Sequence, residues 1–246
     1  MLRLRAIPCL QIYDRSIVKT IKFKNQKYIG DPINTVRIFN ELEVDELVIL
    51  DIKASKEDKP IDFDYLKQLA GECFMPLAYG GGIKTKEDAL KIIRLGFEKI
   101  IINSTCFENP NVIRSIISHI GSQSVIGAMD VSKSFFRKTI VTSKSNKLKH
   151  KISPTDWAKK LVGLGIGELL ITSVENEGTW SGFDLDLLQS ISDIVEVPII
   201  INGGAGSLYD INEAFNKGAS GVGLGSIVIY QNKGMGVLIN TNKIYN

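Results

Sequence analysis

A chain of 246 residues that is 44% hydrophobic and 23% charged fits one domain of barrel size or two small ones, with apolar residues enough for a sizeable core. Its formal net charge of +3 and pI near 8.6 are too mild to point to nucleic acid or a membrane surface as partner. Cys9, Cys73 and Cys106 are odd in number and lack partners at metal-ligand spacing, so they read as reduced core thiols. Neither an apolar signal core nor the roughly 18 unbroken apolar residues of a membrane span is found, which makes the cytoplasm the expected compartment.

The first element is the apolar run of IPCLQIYD, residues 7–14, a buried strand that ends at Gln11. The amphipathic INTVRIFNEL then leads to ELVILDI, a second strand ending at Asp51. PLAYG runs into Gly81-Gly82, KEDALKIIRLG reads as a helix, and KIIIN closes on Asn103-Ser104. VIGAMD ends at Asp130. Residues 132–151 carry Lys133, Arg137, Lys138, Lys144, Lys147, Lys149 and Lys151, no acid, and the adjacent Phe135 and Phe136. Such a stretch reads as a solvated loop or hairpin, with attraction of an anionic small molecule or a partner as a second reading. ELLITS, PIIIN before Gly203-Gly204, LYDINEAFNKG and GVGLG before Ser226 repeat the earlier order. The tail after GVGLGSIVIY is short and interrupted by glycine, so the last unit is expected to be irregular.

The order repeats at a fixed spacing of 122 residues, without a gap, over two segments. Pro32 matches Pro154, Glu46 matches Glu168, Pro76 matches Pro198, and Gly81-Gly82 match Gly203-Gly204. Asp88, Gly96 and Ser104 match Asp210, Gly218 and Ser226. The strands are nearly continuous in apolar character, as parallel strands covered on both faces are. Eight right-handed βα units arranged as two similar halves close into an α/β fold, a single (βα)8 barrel over residues 1–246 with half-barrels of about 1–122 and 123–246.

In such a barrel a strand ending in Gly-Gly before a helix presents backbone N–H groups beside a helix N-terminus, which favours an anion. Gly81, Gly82, Asn103 and Ser104 form one expected phosphate cup, and Gly203, Gly204, Gly225 and Ser226 the other. Two cups across one mouth suit a long substrate phosphorylated at both ends.

Through IPCL, GDP, DELVILDI, YGGGI, FEKIIINS, GELLITS and INGGAG, the sequence resembles the HisF family, the cyclase subunit of imidazole glycerol phosphate synthase. The resemblance implies a barrel bound to a glutaminase, with ammonia sent through the barrel to a bis-phosphorylated nucleotide. The products would be imidazole glycerol phosphate and aminoimidazole carboxamide ribotide. It implies a general acid/base pair at the first and fifth strand ends. Asp130 fills the fifth, but Gln11 stands at the first and has no proton to exchange. Asp14, three residues on, is a weaker substitute.

The same resemblance makes Lys19 a mobile-loop contact to substrate and Asp51 a pocket residue. Glu177-Gly178-Thr179 replaces the family's Asp-Gly-Thr, and the extra methylene is expected to push the carboxylate further into the mouth. Arg5, Glu46, Lys99 and Glu168 correspond to a charged ring that gates ammonia, and Glu98 to a contact with the glutaminase. Unpaired charges on buried strands are costly, so the ring is expected to pair internally. His119 and His150 read as surface or cap residues. No metal or other cofactor is implied.

The leading expectation is a paralogue that still docks a glutaminase but feeds a different amidation. The resemblance is to paralogues of surface-polysaccharide clusters, where a third protein, an amidotransferase, converts an acetamido sugar to an acetamidino sugar. The alternatives are the histidine-pathway cyclase with a rearranged acid/base pair, and a non-catalytic barrel that senses a phosphorylated metabolite.

Overall fold

The computed structural model describes residues 4–57, 59–133, 139–143, 147–242 and 244. The chain opens with β1 (Arg5–Tyr13), β2 (Ser16–Ile21), β3 (Lys24–Gly30) and α1 (Pro32–Glu41). Then come β4 (Leu47–Asp51), α2 (Ile52–Glu57), α3 (Phe63–Glu72) and β5 (Leu77–Gly80). They are followed by α4 (Lys86–Arg94), β6 (Lys99–Ile102), α5 (Ser104–Glu108) and α6 (Pro110–Ile120). The second half runs β7 (Val125–Lys133), β8 (Thr139–Ser143), β9 (Leu148–His150), α7 (Pro154–Gly163) and β10 (Glu168–Ser173). It ends with α8 (Leu185–Ser192), β11 (Ile199–Asn202), α9 (Leu208–Asn216), β12 (Gly221–Leu224) and α10 (Ser226–Ile229).

Strands β1, β4, β5, β6, β7, β10, β11 and β12 pair in that order, all parallel, and β12 returns to β1. The result is the expected closed (βα)8 barrel. Side chains alternate along each strand. Ile7 and Cys9 of β1 point inward with Val48, Ala78, Ile101, Ile126 and Leu170, while Leu10, Leu47, Ile100 and Leu169 pack outward against the helices. Each such buried aliphatic side chain contributes about 1.5–3 kcal/mol.

The helices start where local chemistry allows. Asp31 and Ser153 cap α1 and α7 through Asn34 and Asp156, each followed by a proline in the first turn. The repeat is kept in space: α1 and α7, α3 and α8, β5 and β11, α4 and α9, and β6 and β12 begin 122 residues apart. The last unit is irregular as expected. Among the described residues, strand-like pairing after α10 is a single antiparallel bridge, Tyr230 to Val237.

Two antiparallel extensions join the barrel strands, the first not read from the sequence and the second within the stretch read as a loop or hairpin. β2 turns back on β1 and β3 on β2, so the segment expected to be a mobile loop is a three-stranded ribbon. Both connections are two-residue turns whose residues have positive φ: Asp14 and Arg15 at 54° and 56°, Lys22 and Phe23 at 54° and 59°. Such turns match strand twist but are usually signalled by Asn-Gly or Asp-Gly, which this sequence lacks there. β7, β8 and β9 form the corresponding ribbon in the second half, so the basic stretch is partly a hairpin. Its residues 134–138 and 144–146, with Phe135, Phe136, Arg137, Lys138 and Lys144, lie outside the described residues.

Candidate active site at the barrel mouth

Two hollows open at the C-terminal ends of the strands, the face on which such barrels build their sites. The larger, about 1170 Å³ including its open mouth, is lined by Gly81, Gly82, Asn103, Ser104, Asp51 and Asp130 among others. The smaller, about 420 Å³, is lined by Gly203, Gly204, Gly225, Ser226, Lys19 and Glu177 among others. Gln11, Leu50 and Asn202 line both, so the hollows meet over the barrel axis.

The amide donors differ in origin from the sequence expectation. The helices that follow the Gly-Gly pairs are already capped, α4 by a reciprocal Thr85–Asp88 capping box and α9 by Ser207, whose partner Asp210 also accepts from the Gly206 amide. The short α5 and α10 instead begin at Asn103 and Gly225, neither of which gives its first turn a side-chain hydrogen bond. Asn103 and Ser104 line the larger hollow and Gly225 and Ser226 the smaller, beside the glycines. Gly204 is required by sterics: with φ at +116°, a Cβ there would lie 2.0 Å from the Gly182 carbonyl oxygen.

Gln11 is buried and its amide is engaged. Glu177 Oε1 accepts from Lys19 Nζ at 2.7 Å, from Thr20 Oγ1 at 3.0 Å and, at a long 3.5 Å, from Gln11 Nε2. The Thr20 hydroxyl has one proton and lies equally 3.0 Å from Gln11 Oε1. Glu177 Oε2 accepts from the Phe23 amide at 3.1 Å, and the Lys22 amide bonds the Glu177 carbonyl at 2.9 Å. The left-handed turn at Lys22-Phe23 thus aims two amides at one residue.

This network corrects two expectations. Lys19 lies on β2, buried in an ion pair, and not on a mobile loop. The Glu177 carboxylate does not reach further into the mouth. It is drawn under the ribbon, and Gly178 permits the approach because a Cβ there would lie 2.4 Å from the Thr20 carbonyl oxygen. Thr179 bonds the Asn176 carbonyl and meets Ser181, holding its own loop.

Asp130 lies within β7, where the strand leaves the barrel for its pairing with β8, half-buried at the wall of the larger hollow. Burial pushes its carboxyl up from an ordinary 3.8 to about 7, opposed in part by a 3.0 Å hydrogen bond from Asn103 Nδ2. Near neutral pH it can give or take a proton. Asp51 has a structural task as well as a place in the wall: it accepts from the amides of Lys53 and Ala54, both at 2.9 Å, and so starts α2. Burial pushes its carboxyl upward too. Asp14 is exposed and ion-paired to Lys53 at 2.5 Å, so it does not stand in for the missing carboxylate.

At the opposite end, Arg5, Glu46, Lys99 and Glu168 form the expected closed ring. Arg5 bonds Glu46 at 2.7 Å and also Glu168, while Lys99 bonds Glu46 at 3.2 Å and Glu168 at 2.9 Å. Glu46 precedes β4 by one residue. Glu98 is exposed beside the ring.

His119, in the last turn of α6, contacts the Ser115 carbonyl. His150 is less peripheral than expected. It stacks on Phe107 at 3.6 Å, which stacks on Trp157 at 3.7 Å, and its Nε2 meets Ser143 Oγ. Cys9, Cys73 and Cys106 are free thiols, with Cys73 only half-buried. Burial pushes the Cys9 and Cys106 thiols up to about 12. No helix among the described residues is long and apolar enough to cross a membrane. Sequence reasoning missed Thr20, Phe23 and Asn202. Asn202 was findable, as a polar residue ending the run PIIIN.

The profile of the family described as "Histidine biosynthesis protein" matches residues 5–234. A Pseudomonas aeruginosa protein, provisionally named imidazole glycerol phosphate synthase subunit hisF2, is 46% identical over 98% of the chain and 96% of its own length. This chain belongs to the HisF family. A Leptospira interrogans protein, also provisionally named as a HisF subunit, is 46% identical over 98% of the chain and 95% of its own length. The HisF subunit of Alkaliphilus metalliredigens, named without that reserve, is 39% identical over 95% of the chain and 92% of its own length.

Proposed function

We propose that this HisF-family chain is the synthase subunit of a glutamine amidotransferase complex. A glutaminase subunit docks at the floor, with Glu98 among its contacts, and releases ammonia at the Arg5–Glu46–Lys99–Glu168 ring. Ammonia then passes an apolar lining that includes Ile7, Val48, Ala78, Ile126 and Leu170. That lining suits neutral NH₃ and disfavours the ammonium ion. At the mouth Asp130 is the proton carrier, and the hollows hold a phosphorylated ligand on amides and small side chains, with no metal.

The observation that carries the reading is Gln11 itself, held by its amide in the Lys19–Thr20–Glu177 network at the strand end where the family pair needs a carboxylate. With one of two proton carriers absent, ring closure on the histidine-pathway nucleotide is expected to be about 10² to 10⁴-fold slower. The nitrogen therefore goes to another acceptor. We take this to be an acetamido sugar of surface polysaccharide (LPS) biosynthesis, converted to an acetamidino sugar on a third protein, an amidotransferase. In support, the two relatives at 46% identity carry the HisF name only provisionally, against 39% for a subunit named without that reserve.

The test is ammonia-dependent turnover of the histidine-pathway bis-phosphate nucleotide by the purified barrel, wild type beside Gln11→Asp and Gln11→Asp/Glu177→Asp. Gain of turnover in the double variant over an inactive wild type is expected. Robust wild-type turnover would make the chain a histidine-pathway cyclase.

A further inference from the structure

Three side chains line both hollows: Gln11, Leu50 and Asn202. Two of the three are carboxamides. Asn202 ends β11 and is paired with Thr172 of β10 on one side and Gly223 of β12 on the other. Its side chain lies across Gly223, where a Cβ would stand 2.8 Å from Asn202 Oδ1, so any larger residue there would displace it. Asn202 Nδ2 donates to Thr172 Oγ1 at 3.2 Å, and no described residue donates to Oδ1.

Gln11 comes to the same junction from β1, two strands further round the barrel. Glu177 fixes which way its amide points. The ion-paired carboxylate only accepts, so Gln11 Nε2 faces it at 3.5 Å and Oε1 faces Thr20. The second proton on Nε2 is used by no described residue.

The junction therefore offers an acceptor from one strand and a donor from another. A carboxylate would only accept and an ammonium only donate, leaving one of the two unmatched. A hydroxyl does both, but through a single atom. The N–H and C=O of a trans secondary amide point away from each other, so one such group can answer both sides at once. An acetamido group adds a methyl that can pack on Leu50.

Resting on the reading of the hollows as phosphate-binding, we infer that Asn202 and Gln11 together recognise a neutral amide in the ligand. Asn202 accepts from the amide N–H and Gln11 donates to its carbonyl. The ligand of the mouth is then a phosphorylated compound with an acylamino group, such as an N-acetylated sugar phosphate, and not a plain polyol phosphate.

Calorimetric titration compares N-acetylglucosamine 6-phosphate with glucose 6-phosphate, which has a hydroxyl in place of the acetamido group, and the two 1-phosphates in the same way. Wild type is expected to bind the acetamido member of at least one pair about tenfold tighter or more, since a site built for an amide rejects an analogue that leaves its polar groups unpaired. Asn202→Leu, which keeps the size of the side chain without its hydrogen bonds, and Gln11→Met should each bring that ratio below about threefold. Thermal unfolding verifies the fold of each variant, and Asn202→Ser takes the place of Asn202→Leu if the latter does not fold. Equal affinities on wild type, or a preference kept by any of these folded variants, overturns the inference. Inorganic phosphate is titrated alongside. Saturable binding of neither it nor any of the sugar phosphates to wild type overturns instead the phosphate reading on which the inference rests.

Discussion

The floor and the mouth of the barrel each bury a carboxylate beside a lysine, yet they handle charge differently. At the floor, Glu46 and Glu168 alternate with Arg5 and Lys99 around a closed ring, and every charge has two partners. At the mouth, Glu177 satisfies Lys19, while Asp130 has, among the described residues, the neutral amide of Asn103 as its side-chain partner. A balanced ring fixes its own geometry. An unbalanced carboxyl in a dry wall keeps its proton to neutral pH, which is what proton transfer requires. The floor is built to hold and the mouth to react.

The contrast can be broken from either end. At the floor, Glu168→Ala leaves two half-buried cations on one carboxylate and is expected to lower unfolding free energy by up to about 3 kcal/mol, read by chemical denaturation. At the mouth, Asp130→Asn should leave phosphate binding intact and reduce the nitrogen-transfer rate of the reconstituted complex about 10² to 10⁴-fold. Unchanged turnover would show that the barrel moves no proton.

The Gln11→Asp variant sharpens the comparison by putting a second carboxylate against Glu177 with Lys19 as their shared cation. Its new carboxyl should titrate above the ordinary range, an upward shift that NMR of a labelled side chain would register, and Glu177→Asp should relieve it. Asp130 gives a pH signature of its own. Because its folded value of about 7 lies above 3.8, the folded state binds more protons between those limits, and stability falls as pH rises through that window before levelling off. Asp130→Asn should therefore stabilise the protein at pH 8 and change it little near pH 4. The smallest effect belongs to the exposed Arg37–Glu72 pair: Glu72→Gln should leave the denaturation midpoint where it is, because solvent screens both groups.

Much of this was legible in the residues. Asp130, Asp51 and the Gly-Gly pairs lie where strand ends were read, and the four floor residues pair as their charges demand. The origin of the free amides was not legible, because Thr85 and Ser207 cap their own helices and transfer the task to α5 and α10. Nor was the placement of Lys19, since Lys22-Phe23 gives no hairpin signal and the ribbon is fixed only by its pairing to β1 and by Glu177.

By itself the sequence determined the barrel, its two-fold internal repeat, its irregular last unit and the glutamine at position 11. These follow from apolar periodicity and residue identity, which are local. Only the tertiary structure decided that Glu177 closes on Lys19, that Gln11 joins them, and that Asp130, among the described residues, is left with one neutral partner. Those facts depend on which side chains meet across the mouth from segments up to 166 residues apart, and on how much water the meeting excludes.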